Sequence, residues 1–299
     1  MDELAWSWVL ALALALLSAL CVWLYLRHTR RRRPQLQPLP PPEVEPPPLR
    51  VRSVRLHGRT RHPIVLAHGW GCIEGMLPSQ LGFSSFREIP AALRACGHEV
   101  YVARVAPAAS IELRAQQLAR QVYALDQRVN IIAHSMGGLD ARLAVARHGI
   151  GDRVASLITI GTPHHGTPLA DAALELADFR RARAMLRRFG LDLDGVYDLS
   201  TARMREFNAA VPDTPDVYYA HVLAGVERDA VHKMLAAGHR YILRSAGPND
   251  GVVPVLSQRW GEIIEEVDAD HWAQIGWFGR FDVRTFYTRL ARRLIERDL

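Results

Sequence analysis

The 299-residue chain predicts an α/β fold, a mostly parallel sheet covered by helices on both faces, with a helical insertion and an apolar N-terminal helix. Three observations carry that prediction. From Val51 onward, short apolar runs alternate with helix-period stretches, and this β-α-β-α rhythm suits a sheet buried on both sides. Residues 130–138, NIIAHSMGG, run a buried strand straight into a helix. Residues 64–71, IVLAHGWG, end a second apolar strand in a glycine-containing loop. With 49% hydrophobic and 23% charged residues, the chain is long enough for one sizeable core plus an appendage.

Taken in order, Leu4 to Leu26 holds no charged residue. Twenty-three helical residues span roughly 34 Å, enough for a bilayer core of about 30 Å. Trp6, Trp8, Trp23 and Tyr25 stand at its ends, where interfacial aromatics belong. A cleavable signal peptide is the rival reading, but acids (Asp2, Glu3) precede the run and arginines follow it, so an uncleaved single-pass anchor over residues 1–33 is expected. Arg27 and Arg30 to Arg33 then place the rest of the chain on the cytoplasmic side. The sparse cysteines (Cys21, Cys72, Cys96) agree with that side. The formal charge of +6 comes with no basic stripe interleaved with aromatics, so no nucleic-acid partner is expected. Residues 34–50 carry eight prolines within 34–48 and read as a semi-rigid polyproline II spacer, with an SH3-type ligand as the sharper alternative.

The globular part is expected over 51–299. Val51–Leu56 and Ile64–Ala67 read as strands, Ser85–Cys96 as a helix, Glu99–Val105 as a strand and Ile111–Leu125 as a helix. Val129–Ala133 reads as a short buried strand, Gly138–His148 as a helix, and Val154–Ile160 and Tyr241–Arg244 as strands.

The chemistry concentrates at Ala133-His134-Ser135-Met136-Gly137. Small residues on either side permit a sharp strand-to-helix turn that lifts the serine hydroxyl over the sheet edge, at a helix N-terminus rich in free N–H groups. The bland alternative is a plain turn with an incidental serine. An oxyanion site also needs a donor from a second loop, and the N–H groups of Trp70 and Met136 are the expected pair. A serine needs a base and an orienting carboxylate, and after such an elbow they follow in the order acid, then histidine. Of thirteen histidines only His271 lies beyond the plausible acid segment. Asp250, in the Asn-Asp-Gly turn after 241–244, is the expected acid; Asp268 and Asp270 are rivals, and a mere turn-shaping role for Asp250 stands beside the catalytic one.

The blocks PIVLAHGWG, VNIIAHSMGGLDAR, LITIGTPHHGTPLAD, YDLSTARMREFN, NDGVVPVLSQRWGE and DHWAQIGW cover most of residues 62–278. Together they resemble the bacterial and fungal triacylglycerol lipases of the α/β-hydrolase superfamily. The resemblance implies a carboxylic ester hydrolase with Ser135 as nucleophile, Asp250 as acid, His271 as base and oxyanion amides at Trp70 and Met136. Ala133 departs from the glycine usual in the elbow, mildly. Several such lipases bind a structural calcium through an aspartate two residues after the histidine. Ala273 stands there, so neither that metal nor any cofactor is expected. His164 and His165 read as loop-shaping residues rather than metal ligands.

A cap or lid is expected over about 169–216. Its apolar residues Ala172, Leu176, Phe179, Ala182, Leu186 and Phe189 recur every three or four positions, flanked by arginines. Such a stripe suits either a lid opening at an anionic lipid surface or a fixed cap helix. A lipid or other ester substrate and the membrane are the implied partners. A thioesterase or acyltransferase using the same residues, or a non-catalytic anchored interaction protein, are the alternatives.

Overall fold

In a computed structural model, the structure describes residues 58–71, 85–175, 194–278 and 281–299. The anchor, the spacer, the Val51–Leu56 strand and most of the cap stripe lie outside the described residues. Among the described residues no helix is long and apolar enough to cross a membrane.

Among the described residues six strands form the sheet: β1 (Ile64–Ala67), β2 (Val100–Val102), β3 (Val129–His134), β4 (Val154–Ile160), β5 (Tyr218–Gly225) and β6 (Glu262–Asp268). Their order is β2-β1-β3-β4-β5-β6, and every neighbouring pair is parallel. The chain leaves β1 toward β2 and returns to place β3 on the other side of β1. That reversal makes a switch point at the carboxyl ends of β1 and β3, the place where open α/β sheets present their sites.

Between and after the strands come α1 (Ile89–Ala95), α2 (Ile111–Ala124), α3 (Met136–Arg147), α4 (Pro168–Glu175), α5 (Asp194–Asp198), α6 (Thr201–Ala210), α7 (Ala236–Ala246) and α8 (Val283–Glu296). Side chains alternate across the sheet. Val65, Ala67, Ile131, Ala133 and Leu157 pack with Leu118, Val122 and Leu139 of α2 and α3. Ile64, Leu66, Ile132, Ile158 and Val222 pack with Ile89, Leu93, Phe286, Leu290 and Leu294 of α1 and α8. Strand period two thus feeds two cores, one per face. Within the segment read as a cap, α6 lays Met204 and Phe207 on the α2–α3 core.

Four expectations about elements change. Tyr241–Arg244 is not a strand but the middle of α7, whose buried residues His239 and Ile242 sit three apart while Tyr241 and Leu243 are exposed. Helical period explains that pattern and strand alternation does not. The first helix opens at Ile89, because Pro90 fits only a first turn. β2 shrinks to three residues, and among the described residues it pairs with β1 alone. Finally, α3 begins at Met136, immediately after Ser135. β5 and β6 carry strands that no clean sequence pattern announces; β6 is an edge strand with mostly exposed or half-buried side chains.

Candidate active site

Ser135 sits between the last residue of β3 and the first of α3, at φ 57°, ψ −134°. A non-glycine residue in such a conformation costs on the order of 1–3 kcal/mol and persists only where neighbours over-determine it. Three bonds do so here. The Ser135 N–H donates to Ile160 O (2.9 Å), while Thr162 Oγ1 (2.8 Å) and the Gly138 N–H (3.0 Å) donate to Ser135 O. A Cβ on Gly137 would fall 2.5 Å from Ala67 O, so the helix start can nestle against β1 only with glycine there.

His271 lies 2.9 Å from Ser135 Oγ through Nε2 and 2.8 Å from Asp250 Oδ2 through Nδ1. A carboxylate only accepts, so Nδ1–H donates to Asp250, and Nε2 is left to accept the serine O–H. All three side chains are buried, Asp250 completely. The serine, acid and histidine expected from the sequence are therefore one hydrogen-bonded chain.

Asp250 has two duties, one per oxygen. Oδ1 accepts the N–H groups of Val252 (2.9 Å) and Val253 (2.7 Å), which shapes the turn. Oδ2 accepts His271 and also Gln274 Nε2 at 2.9 Å. One carboxylate thus both shapes the turn and meets the His271 ring. The rival Asp270 instead accepts Trp272 and Ala273 N–H groups on Oδ1 and His232 N–H on Oδ2, and Asp268 is exposed.

On the opposite side, Gly69 presses against the nucleophile: a Cβ there would lie 2.6 Å from Ser135 Cβ. Trp70, next in the loop, is half-buried, its ring against Gly195 of α5. Met136 opens α3, so its N–H is among the first-turn donors that have no partner inside the helix. The His68 Nδ1–H donates to Gly69 O (3.0 Å), and burial pushes this imidazole down to about 3, keeping it neutral. The His134 ring leans on His271, centroids 4.5 Å apart at 46°, and burial holds it neutral as well.

His164 is buried. Arg142 Nη1 donates to its Nδ1 (3.3 Å), so Nε2 carries the proton and donates to Thr159 Oγ1 (3.1 Å). His165 is exposed, and the Asn208 amide Nδ2 lies 3.5 Å from its Nδ1. Among the described residues no group of three or more His, Cys, Asp or Glu side chains could hold a metal ion. Gln274, Thr162, Arg114 and Asp140 support the site without having been singled out in the sequence. The available hint for the last two was a charged residue on an otherwise apolar, buried helix face.

A family profile described as PGAP1-like alpha/beta domain matches residues 112–186, which include the elbow and β4. The chain is 33% identical over 201 residues to triacylglycerol lipase 2 of Saccharomyces cerevisiae, covering 62% of this chain and 60% of that protein. It is 28% identical over 297 residues to a triacylglycerol lipase of Pseudomonas fragi, covering 80% of this chain and 98% of that protein. The alignment thus spans about three fifths of the yeast protein's length. Among solved structures, the mature Bacillus licheniformis lipase BlEst2 superposes with a TM-score of 0.62 at 22% identity, over 83% of this chain and 95% of that one. The chain thus has the α/β-hydrolase fold, and in sequence it is similar to triacylglycerol lipases.

Proposed function

We propose that the protein hydrolyses carboxylic esters through an acyl-enzyme on Ser135. The observation that carries this reading is the buried chain Ser135 Oγ–His271 Nε2–Nδ1–Asp250 Oδ2, at 2.9 and 2.8 Å. In the reaction, Nε2 takes the Ser135 proton as Oγ bonds to the ester carbonyl carbon, and the carbonyl π pair moves onto oxygen. The N–H groups of Trp70 and Met136 receive that oxyanion. On collapse the C–O bond to the alcohol breaks, and the imidazolium returns its proton to the leaving oxygen. Water, deprotonated by the same Nε2, then attacks the acyl carbon, and as the C–Oγ bond breaks the imidazolium returns its proton to Ser135 Oγ. Asp250 stays ionised, orienting the imidazole and stabilising its cation.

The similarity to triacylglycerol lipases points to substrates with apolar acyl chains. On the same reading, Leu4–Leu26 tethers the chain to a membrane with its hydrolase part on the cytoplasmic side, and the insertion within about 169–216 supplies a cap or lid. The test is hydrolysis of p-nitrophenyl esters from acetate to palmitate by wild type and Ser135→Ala. Loss of such a serine costs several powers of ten in kcat. A fast wild type with a dead variant supports the nucleophile, and the chain-length profile divides esterase from lipase. Equal, slow rates on every ester reject ester hydrolysis; thioester turnover or an unreactive fold would then take its place.

A further inference from the structure

Two charged side chains interrupt the apolar core beside the elbow. Arg114 of α2 is fully buried and Asp140 of α3 is 1% exposed. Arg114 Nε and Nη2 approach Asp140 Oδ2 at 2.8 and 2.7 Å. Desolvating such a pair costs several kcal/mol per ion, so burial of charge here is a poor device for stability alone. The remaining guanidinium donors show where the group is aimed. Nη1 donates to Ala106 O (2.7 Å), and Nη2 donates to His68 O (2.7 Å) and more distantly to Gly69 O (3.3 Å). The Gly71 N–H donates to Pro107 O (2.7 Å), so the 106–107 segment braces the same loop again.

Peptide geometry turns these bonds into an orientation. In a planar trans peptide the C=O and N–H point opposite ways, and among the described residues no peptide is cis. Gly69 O and the Trp70 N–H belong to one peptide. With Gly69 O drawn toward Arg114 and the His68 Nδ1–H, the Trp70 N–H is turned the other way. Gly69 itself abuts Ser135. We propose that Arg114, locked by Asp140, is a positioning residue that holds the Gly69–Trp70 peptide with its N–H directed at the Ser135 centre before substrate arrives. This rests on the acyl-transfer reading above and adds the device that prepares its oxyanion donor. A preset donor spends nothing on reorganisation as charge develops. Only a planar fork of donors reaches α3, the 106–107 segment and the 68–69 carbonyls at once, which a lysine cannot do.

The test compares the full-length wild type with Arg114→Met/Asp140→Leu. Removing both charges leaves no orphaned carboxylate, and such replacements are often neutral for folding. With p-nitrophenyl butyrate, kcat per site titrated by a fluorophosphonate is expected to fall roughly 10²-fold, the size of a lost oxyanion donor. KM is expected to stay within about twofold, since ground-state binding is untouched. Affinity for phenylboronic acid, which forms a tetrahedral adduct on serine, should fall in step with kcat. A merely structural role would lower the melting temperature and the titratable fraction while leaving kcat per site and boronate affinity in place. If the double variant does not fold, Arg114→Lys keeps the buried charge, loses the fork, and is read the same way. A folded variant with wild-type kcat per site overturns the proposal and leaves the hydrolase reading standing. A wild type that neither turns over the ester nor reacts with the fluorophosphonate overturns that reading, and the proposal with it.

Discussion

Asp250 illustrates how much of the site is settled by single donors. Its Oδ1 is committed to the Val252 and Val253 amides, so the orientation of Oδ2 toward His271 depends on what else holds it. Gln274 is that support, with Nε2 bonded to Oδ2 and also, at 3.3 Å, to Ala269 O. A hydrogen bond to a charged group contributes about 1.5 kcal/mol, roughly tenfold in rate. Gln274→Leu is therefore expected to lower kcat about tenfold with KM little changed. Steady-state kinetics on p-nitrophenyl butyrate checks this, and an unaltered kcat would remove Gln274 from the machinery.

Helix α3 is unlike the amphipathic helices around it, because Met136 through Val145 are all buried. It is pinned by charge on both flanks, by Asp140 to α2 and by Arg142 to α6. The Arg142 guanidinium stacks 3.4 Å over the Trp260 ring and faces Phe207 at 5.1 Å. It also donates to Asn208 Oδ1 (2.9 Å) and Val211 O (3.3 Å). Burial pulls its pKa down to about 10, which leaves it charged at neutral pH. Arg142→Ala should lose the stacking and strand those acceptors, destabilising by roughly 2–4 kcal/mol. Arg142→Lys should recover only part, having no planar face to stack. Urea unfolding followed by tryptophan fluorescence measures both; an unshifted midpoint for the alanine variant would mean that α6 is held by its apolar contacts alone.

For the molecule as a whole, buried imidazoles shape the response to acid, with His68, His134 and His164 foremost among the described residues. His68, His134 and His164 are each held neutral, with burial the leading cause. Their folded-state pKa values lie below the unfolded 6.5, so between those limits the unfolded chain binds more protons. Stability is thus fully present above about pH 6.5 and is lost as pH falls toward the folded values, by up to about 1.4 kcal/mol per pH unit for each group. The melting temperature is expected to drop steeply from pH 6.5 to 4.5, and a flat profile would show that these rings protonate in place.

The elbow was legible because its demands are local: a buried strand, small neighbours and a helix start are consecutive in NIIAHSMGG, and block order then named Ser135, Asp250 and His271. Strands β1, β3 and β4 were legible for the same reason, since strands buried on both faces read as largely apolar runs. β6 was not, because an edge strand with exposed faces has no such run, and α7 was misread because the three apolar residues Tyr241, Ile242 and Leu243 suit a short strand as well as a helix. What only tertiary structure decided are the contacts between segments far apart in the chain. Gln274 reaches an oxygen 24 residues away and Arg114 a carbonyl 46 residues away. No spacing rule encodes those distances, because they exist only once the crossovers have stacked α2 and α3 against the carboxyl ends of β1 and β3.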